Sequence, residues 1–140
     1  MTRIAIMILL FLGTLSCQKT PKEELLATLN DITKNDKTQF YAVVLSNSDC
    51  ATCVNELRKK IVIMNGKKSR TFYGIYFSTH SLDSSSLSIK AMMNDKNLSL
   101  KWHNSSALSL MQLLYKTSGE ARGPYIVRVD GNTISVTTTF

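Results

Sequence analysis

The chain of 140 residues contains no apolar stretch long enough to span a membrane. Its longest unbroken apolar segment covers residues 4–12, well short of the roughly 20 residues that a membrane-spanning helix needs. The sequence has no internal repeat, and its basic residues do not alternate with aromatic ones, which argues against nucleic-acid binding. With only three cysteines and two histidines, it offers no second ligand pair at short spacing for a zinc site. We therefore expect a single domain without a membrane span, a nucleic-acid-binding surface or a structural zinc site with two ligand pairs.

The N-terminus has the pattern of an export signal. A basic start that includes Arg3 precedes the apolar segment, and small residues lead from it to Cys17. We therefore expect residues 1–16 to be a signal peptide. A cysteine directly after a small residue resembles the lipobox of bacterial lipoproteins. The resemblance implies that Cys17 is acylated and that residues 17–20 tether the protein to a membrane of the cell envelope. Ordinary cleavage and a retained anchor are the alternatives.

The net charge is +7, from 17 lysine and arginine residues against 10 aspartate and glutamate residues. A basic chain is attracted to an anionic membrane surface, and the charge also favours solubility. We expect contact with the membrane through the lipid anchor, no nucleic-acid partner, and a monomer.

Cys50 and Cys53 carry the chemistry that the sequence predicts. The two are separated by two residues and stand between an apolar run, residues 40–45, and an amphipathic helical pattern that starts at Val54. A thiol in the first turn of a helix meets unpaired N–H groups and the positive end of the helix dipole, which favour the thiolate. Such pairs exchange disulfides through a mixed-disulfide intermediate. If Cys17 carries lipid, these two cysteines remain to pair in a compartment where disulfides persist.

The rest of the pattern predicts an α/β domain over residues 21–140. We expect a helix from residue 21, a strand at 39–45, a helix opened by the cysteines, a strand at 70–78, a weakly patterned segment at 79–97 with a short helix near 87–93, a helix capped by residues 104–106, and a β-hairpin at 125–139. A right-handed β–α–β crossover followed by the hairpin gives a mixed four-stranded sheet with flanking helices.

This order, together with the thiol pair and Gly123-Pro124, resembles the thioredoxin fold, a three-layer sandwich. The resemblance implies that Pro124 is cis and lies beside the cysteines, where it shapes a groove for the substrate, and that Gly123 presents backbone groups to the substrate. It also implies that Cys50 is the nucleophile and Cys53 the resolving thiol.

The sequence from Cys50 to Leu57 is similar to the extracytoplasmic thioredoxin-like proteins of the TlpA and ResA group. Those proteins often carry a glutamate three residues after the second cysteine, which here is Glu56. The resemblance implies that Glu56 tunes or relays protons for the thiols; the alternative is a solvated glutamate in the first turn of the helix.

The chain departs from thioredoxins beside the motif. Asp49 replaces the usual tryptophan, and Val44 replaces the acidic residue of the first strand. An anion beside Cys50 opposes thiolate formation, so we expect a reductant or weak exchanger rather than a strong oxidant. No organic cofactor or metal is required. The expected partners are a protein disulfide and, for a reductant, a membrane electron donor.

Two further interpretations remain open. The cysteines are a structural disulfide in a lipid-anchored binding module, for which residues 79–97 would be a partner-binding insertion. Alternatively, they form a copper or zinc site with His80 or His103. Export, the downstream proline and the position at a helix start favour thiol–disulfide exchange over both.

Overall fold

A computed structural model describes residues 18–34, 38–66, 70–78 and 87–139 of the chain. The predicted signal peptide, Cys17, His80 and the first part of the 79–97 segment lie outside these residues. The described elements are α1 (Pro21–Thr33), β1 (Gln39–Ser46), α2 (Ala51–Asn65), β2 (Thr71–Phe77), α3 (Leu87–Met93), a 3-10 turn (Lys96–Leu98), β3 (Lys101–Ser105), α4 (Leu108–Ser118), β4 (Tyr125–Asp130) and β5 (Thr133–Thr138).

The strands form one mixed sheet in the order β3-β2-β1-β4-β5. β1 pairs in parallel with β2, and β2 with β3, whereas β4 runs antiparallel to both β1 and β5. The α/β class is therefore confirmed. The prediction of a four-stranded sheet was wrong, because the described residues contain a fifth strand, β3, at the edge next to β2.

The missed strand owes its position to its neighbour rather than to its own sequence. β3 has no β-branched residue and no regular alternation of apolar and polar side chains, so it lacks a local strand signal. Its Trp102 pairs with Gly74 in β2, and the indole ring lies where a side chain at residue 74 would be. The glycine thus makes room for the tryptophan, and the contact exists only once β2 and β3 have met.

Helices cover both faces of the sheet. On one face, α1 and α4 pack against side chains of β1 that include Phe40 and Val44. On the other face, α2 and α3 pack against Val43 and Leu45, which alternate with the first set as the pleat of a strand requires. The middle strand is consequently buried on both sides, which explains its continuous apolar run.

Local signals account for most of the element boundaries. Thr20 and Glu23 form a capping box at the start of α1, the helix predicted from residue 21. Gly131, with φ 61°, turns the chain from β4 to β5 in a two-residue hairpin. Among the described residues, none of the helices has both the length and the apolar character that crossing a membrane requires.

The Gly74–Trp102 contact gives a test of the sheet edge. We expect Gly74→Ala to lower the free energy of unfolding by about 1–3 kcal/mol, because the added methyl group overlaps the half-buried indole ring. Urea denaturation followed by the fluorescence of the single tryptophan measures this loss.

Gly66→Ala is the matched control, since the nearest atom to its added carbon is Ile63 O at 3.6 Å and its φ is −65°. That variant should stay within about 0.5 kcal/mol of the parent. Equal stability of the two alanine variants would show that Trp102 does not pack on residue 74.

Candidate active site

The two cysteines lie at the start of α2, as predicted. Cys50 is the N-cap residue, Cys53 is in the first turn, and a disulfide joins them with a Cα–Cα distance of 5.2 Å. The backbone N–H of Cys53 donates a hydrogen bond to Cys50 Sγ over 3.1 Å. Cys50 is exposed whereas Cys53 is half-buried. Cys50 is therefore the sulfur that another protein can reach more easily, and it already has a backbone hydrogen-bond donor.

A tight turn after β1 sets the position of this corner. The N–H of Asp49 donates to Ser46 O over 3.1 Å, and the N–H of Ser46 donates to Asp49 Oδ2 over 2.7 Å. Ser46 and Asp49 thus each donate one hydrogen bond to the other, which fixes the turn formed by residues 46–49. The helix then begins at once, with Val54 N–H donating to Cys50 O. The turn therefore delivers Cys50 directly to the helix N-terminus.

Asp49 is a buried carboxyl group within this turn, with only 8 % of its surface exposed. Burial raises its pKa from the usual 3.8 to about 6, although hydrogen bonds from the backbone and hydroxyl group of Ser46 act in the opposite direction. The charge also reaches Tyr125 in β4. Burial is the main reason why the pKa of Tyr125 is raised, and the charges of Asp49 and Glu120 add to it. Asp49 thus connects the cysteine corner electrostatically to the strand that follows Pro124.

The peptide bond between Gly123 and Pro124 is cis, as the resemblance implied. The β1–β4 register sets Tyr125 opposite Val44 in the last pair of the two strands. Gly123 and Pro124 therefore come just beyond this pair, at the end of β1 that continues to Cys50. Gly123 and Pro124 are both buried. A side chain at residue 123 would stand 2.8 Å from Tyr125 Cδ2, which explains the glycine. The Tyr125 hydroxyl donates to Glu120 O over 2.7 Å and holds the preceding loop in place.

Two other candidates have different surroundings. Glu56 is exposed on α2, and its carboxylate accepts a hydrogen bond from Lys59 Nζ over 2.7 Å. His103 lies on β3 with its ring 5.9 Å from that of Tyr73, two strands away from β1. Across the described parts of the chain, no three histidine, cysteine, aspartate or glutamate side chains gather in a group that could hold a metal ion.

Comparison with known proteins finds no family model, no curated protein and no solved structure that matches this chain.

Sequence reasoning missed Ser46 and Tyr125 as parts of the site. Ser46 is three residues ahead of Asp49, a spacing that allows a side chain to accept a hydrogen bond from the backbone in a turn, and this signal was present. Tyr125 follows Pro124 directly, but its relation to Asp49 depends on the pairing of β1 with β4. Only the sheet register could reveal it.

The raised pKa of Asp49 predicts how stability depends on pH. The folded chain binds this proton more tightly than the unfolded chain, so the free energy of unfolding should fall as pH rises from about 4 to about 6. A difference of this size contributes about 2–3 kcal/mol. Asp49→Asn should remove the fall and be more stable than the parent at pH 7, because the amide still accepts the Ser46 N–H. Denaturant unfolding of the oxidised protein at several pH values measures both effects.

Asp31→Asn on the exposed side of α1 makes the same chemical change away from the site and should keep the fall. Asp95 and Asp130 do not obscure it. The pKa of Asp95 is lowered mainly by a hydrogen bond from the backbone of Asn97, and that of Asp130 mainly by a hydrogen bond from Arg70. Both carboxyl groups therefore change charge at pH values below the range of about 4 to 6 in which Asp49 acts. An unchanged slope in Asp49→Asn would contradict the assignment.

Proposed function

We propose that this protein is a thiol–disulfide oxidoreductase of the cell envelope with a thioredoxin-like fold. The observation that carries the proposal is the exposed residue Cys50 at a helix N-terminus, whose sulfur is bonded to Cys53 and accepts a hydrogen bond from the Cys53 backbone N–H. A structural disulfide needs neither an accessible sulfur nor a donor aimed at it. An attacking thiolate benefits from both.

The arrangement of strands supports the thioredoxin-like assignment. β1, α2 and β2 form a parallel crossover, and the antiparallel β4–β5 pair is entered through the cis Pro124. Under the proposal, Pro124 shapes the groove beside the cysteines and Gly123 offers backbone groups to the client. The ion pair of Glu56 with Lys59 favours a solvated role for that glutamate over proton transfer.

The reaction proceeds in two exchanges. The Cys50 thiolate of the reduced protein attacks one sulfur of a client disulfide, which forms a mixed disulfide and releases a client thiolate that takes up a proton. The Cys53 thiolate then attacks Cys50 Sγ, closes the Cys50–Cys53 disulfide and releases the second client thiolate. Two electrons pass to the client, so a dithiol donor at the membrane must reduce the protein again. The reverse sequence oxidises a client dithiol.

Trapping of the mixed disulfide tests the proposal. We expect Cys53→Ser to accumulate covalent complexes with client proteins through Cys50, because no second thiol can resolve them. Non-reducing gels of envelope extracts should show these complexes, and a reductant should release them. Cys50→Ser should trap far less, since Cys53 is half-buried.

The variant with serine at both positions retains Cys17 alone and controls for capture through that residue. If neither single variant exceeds this control, and reduction of the parent changes only its stability, the disulfide is structural. In that case the chain is a binding module and the proposed activity fails.

The proposed compartment rests on the N-terminal sequence. We propose that residues 1–16 are removed and that lipid on Cys17 anchors the domain. Bacterial cells that express the chain with a labelled fatty acid should attach label to it, and Cys17→Ser should abolish the labelling. Cys50→Ser, which alters a different thiol, should leave the labelling intact. Labelling that survives Cys17→Ser would refute the anchor.

A further inference from the structure

We propose that Asp49 is a positioning residue of the dithiol site: its buried carboxyl group fixes the corner that carries Cys50 and sets how readily Cys50 ionises. The inference deepens the proposed function and rests on it, because the ionisation of Cys50 matters for function only if the protein exchanges disulfides. Its physical content concerns the reduced protein alone and can be tested without a client.

The carboxyl group holds the corner through Ser46. It accepts the Ser46 N–H over 2.7 Å in a buried hydrogen bond, and the Asp49 N–H returns to Ser46 O. The Ser46 hydroxyl is itself joined to Ser48 Oγ over 2.8 Å. Ser46, the last residue of β1, is thus joined to two of the three residues that separate it from Cys50. The position of Cys50 relative to the sheet depends on this turn.

The charge of Asp49 is not neutralised nearby. Among the described residues, Asp49 forms no ion pair, and its partners are the amide and hydroxyl of Ser46. The charge of Asp49 acts on Tyr125 of β4, and the charge of Glu120 acts on the same tyrosine; on its own side of the corner Cys50 is the next residue. None of these is a cation. An ionised Asp49 is therefore a negative charge without a cationic partner among the described residues, in the residue next to Cys50.

The two groups must titrate as a coupled pair. A carboxylate one residue away disfavours a second negative charge, so Cys50 forms its thiolate more readily while Asp49 is protonated. By reciprocity, a Cys50 thiolate makes Asp49 harder to ionise. The Cys50 thiolate should then appear over two steps, the first of which reflects Asp49 and the second the thiol itself. A solvated carboxylate on the surface would give a single step.

The test measures Cys50 as the only thiol of the chain. The full-length protein carries Cys17→Ser and Cys53→Ser, and ultraviolet absorbance of the thiolate is followed against pH. We expect a broad two-step curve. Adding Asp49→Asn should give a single step and lower the apparent pKa of Cys50 by about 1. This corresponds to roughly tenfold more thiolate at pH values that lie above the Asp49 pKa of about 6 and below the thiol transition.

Asp31→Asn is the matched control and should leave the curve unchanged. Ser46→Ala provides a second variant, because it removes one donor to Asp49 and should move the first step to higher pH. A merely structural Asp49 would alter stability in these variants without moving the thiol titration.

An unchanged curve in Asp49→Asn overturns the inference. If that variant does not fold, an unmoved first step in Ser46→Ala overturns it instead. Either result leaves the trapping experiment unaffected, and a failed trap leaves the titration standing. The two proposals can therefore fail separately.

Discussion

The site depends on the pairing of one strand, β1, with two neighbours of opposite direction. Its parallel partner β2 fixes the path of the crossover through α2, and its antiparallel partner β4 returns the chain past the same end. The carboxyl end of β1 thereby receives both the cysteine corner and the cis Pro124. Because β1 is buried on both faces, a shift of one residue in either register would exchange the side chains that pack on α1 and α4 with those that pack on α2 and α3. The core thus specifies the geometry of the site.

The parts of the site that were predicted correctly are those that depend on residues close together in the sequence. The cysteine pair and the start of α2 each follow from a local preference for a cap or a helical face. The cis bond at Pro124 came from a family resemblance that quoted neighbouring residues. None of these depends on which strand pairs with which.

The parts that were missed depend on distant residues. β3 forms because Trp102 fits over Gly74, a contact across 28 positions that no window of sequence contains. The sequence identifies Asp49 as an anion beside Cys50, but it does not tell whether this side chain is buried or exposed. The fold buries it, gives it the hydrogen bond from Ser46 and brings it within electrostatic reach of Tyr125 on another strand. Long-range packing therefore changes the chemistry of a residue whose identity is plain from the sequence.

The forces on Cys50 oppose one another, and their sizes bear on the direction of exchange. A helix N-terminus stabilises an anion by about 0.3–1 kcal/mol at an exposed position, and a hydrogen bond to a charged group adds about 1.5–3 kcal/mol. A carboxylate that raises the pKa of the thiol by about 1 acts in the other direction with about 1.4 kcal/mol. The carboxylate therefore offsets part of the stabilisation that the helix N-terminus and the hydrogen bond give to the thiolate. A dithiol protein becomes a strong oxidant when its reduced form is stabilised, chiefly through a very stable thiolate. The offset weakens that stabilisation, so the proposed activity of a reductant or weak exchanger agrees with the presence of a buried carboxyl group beside Cys50.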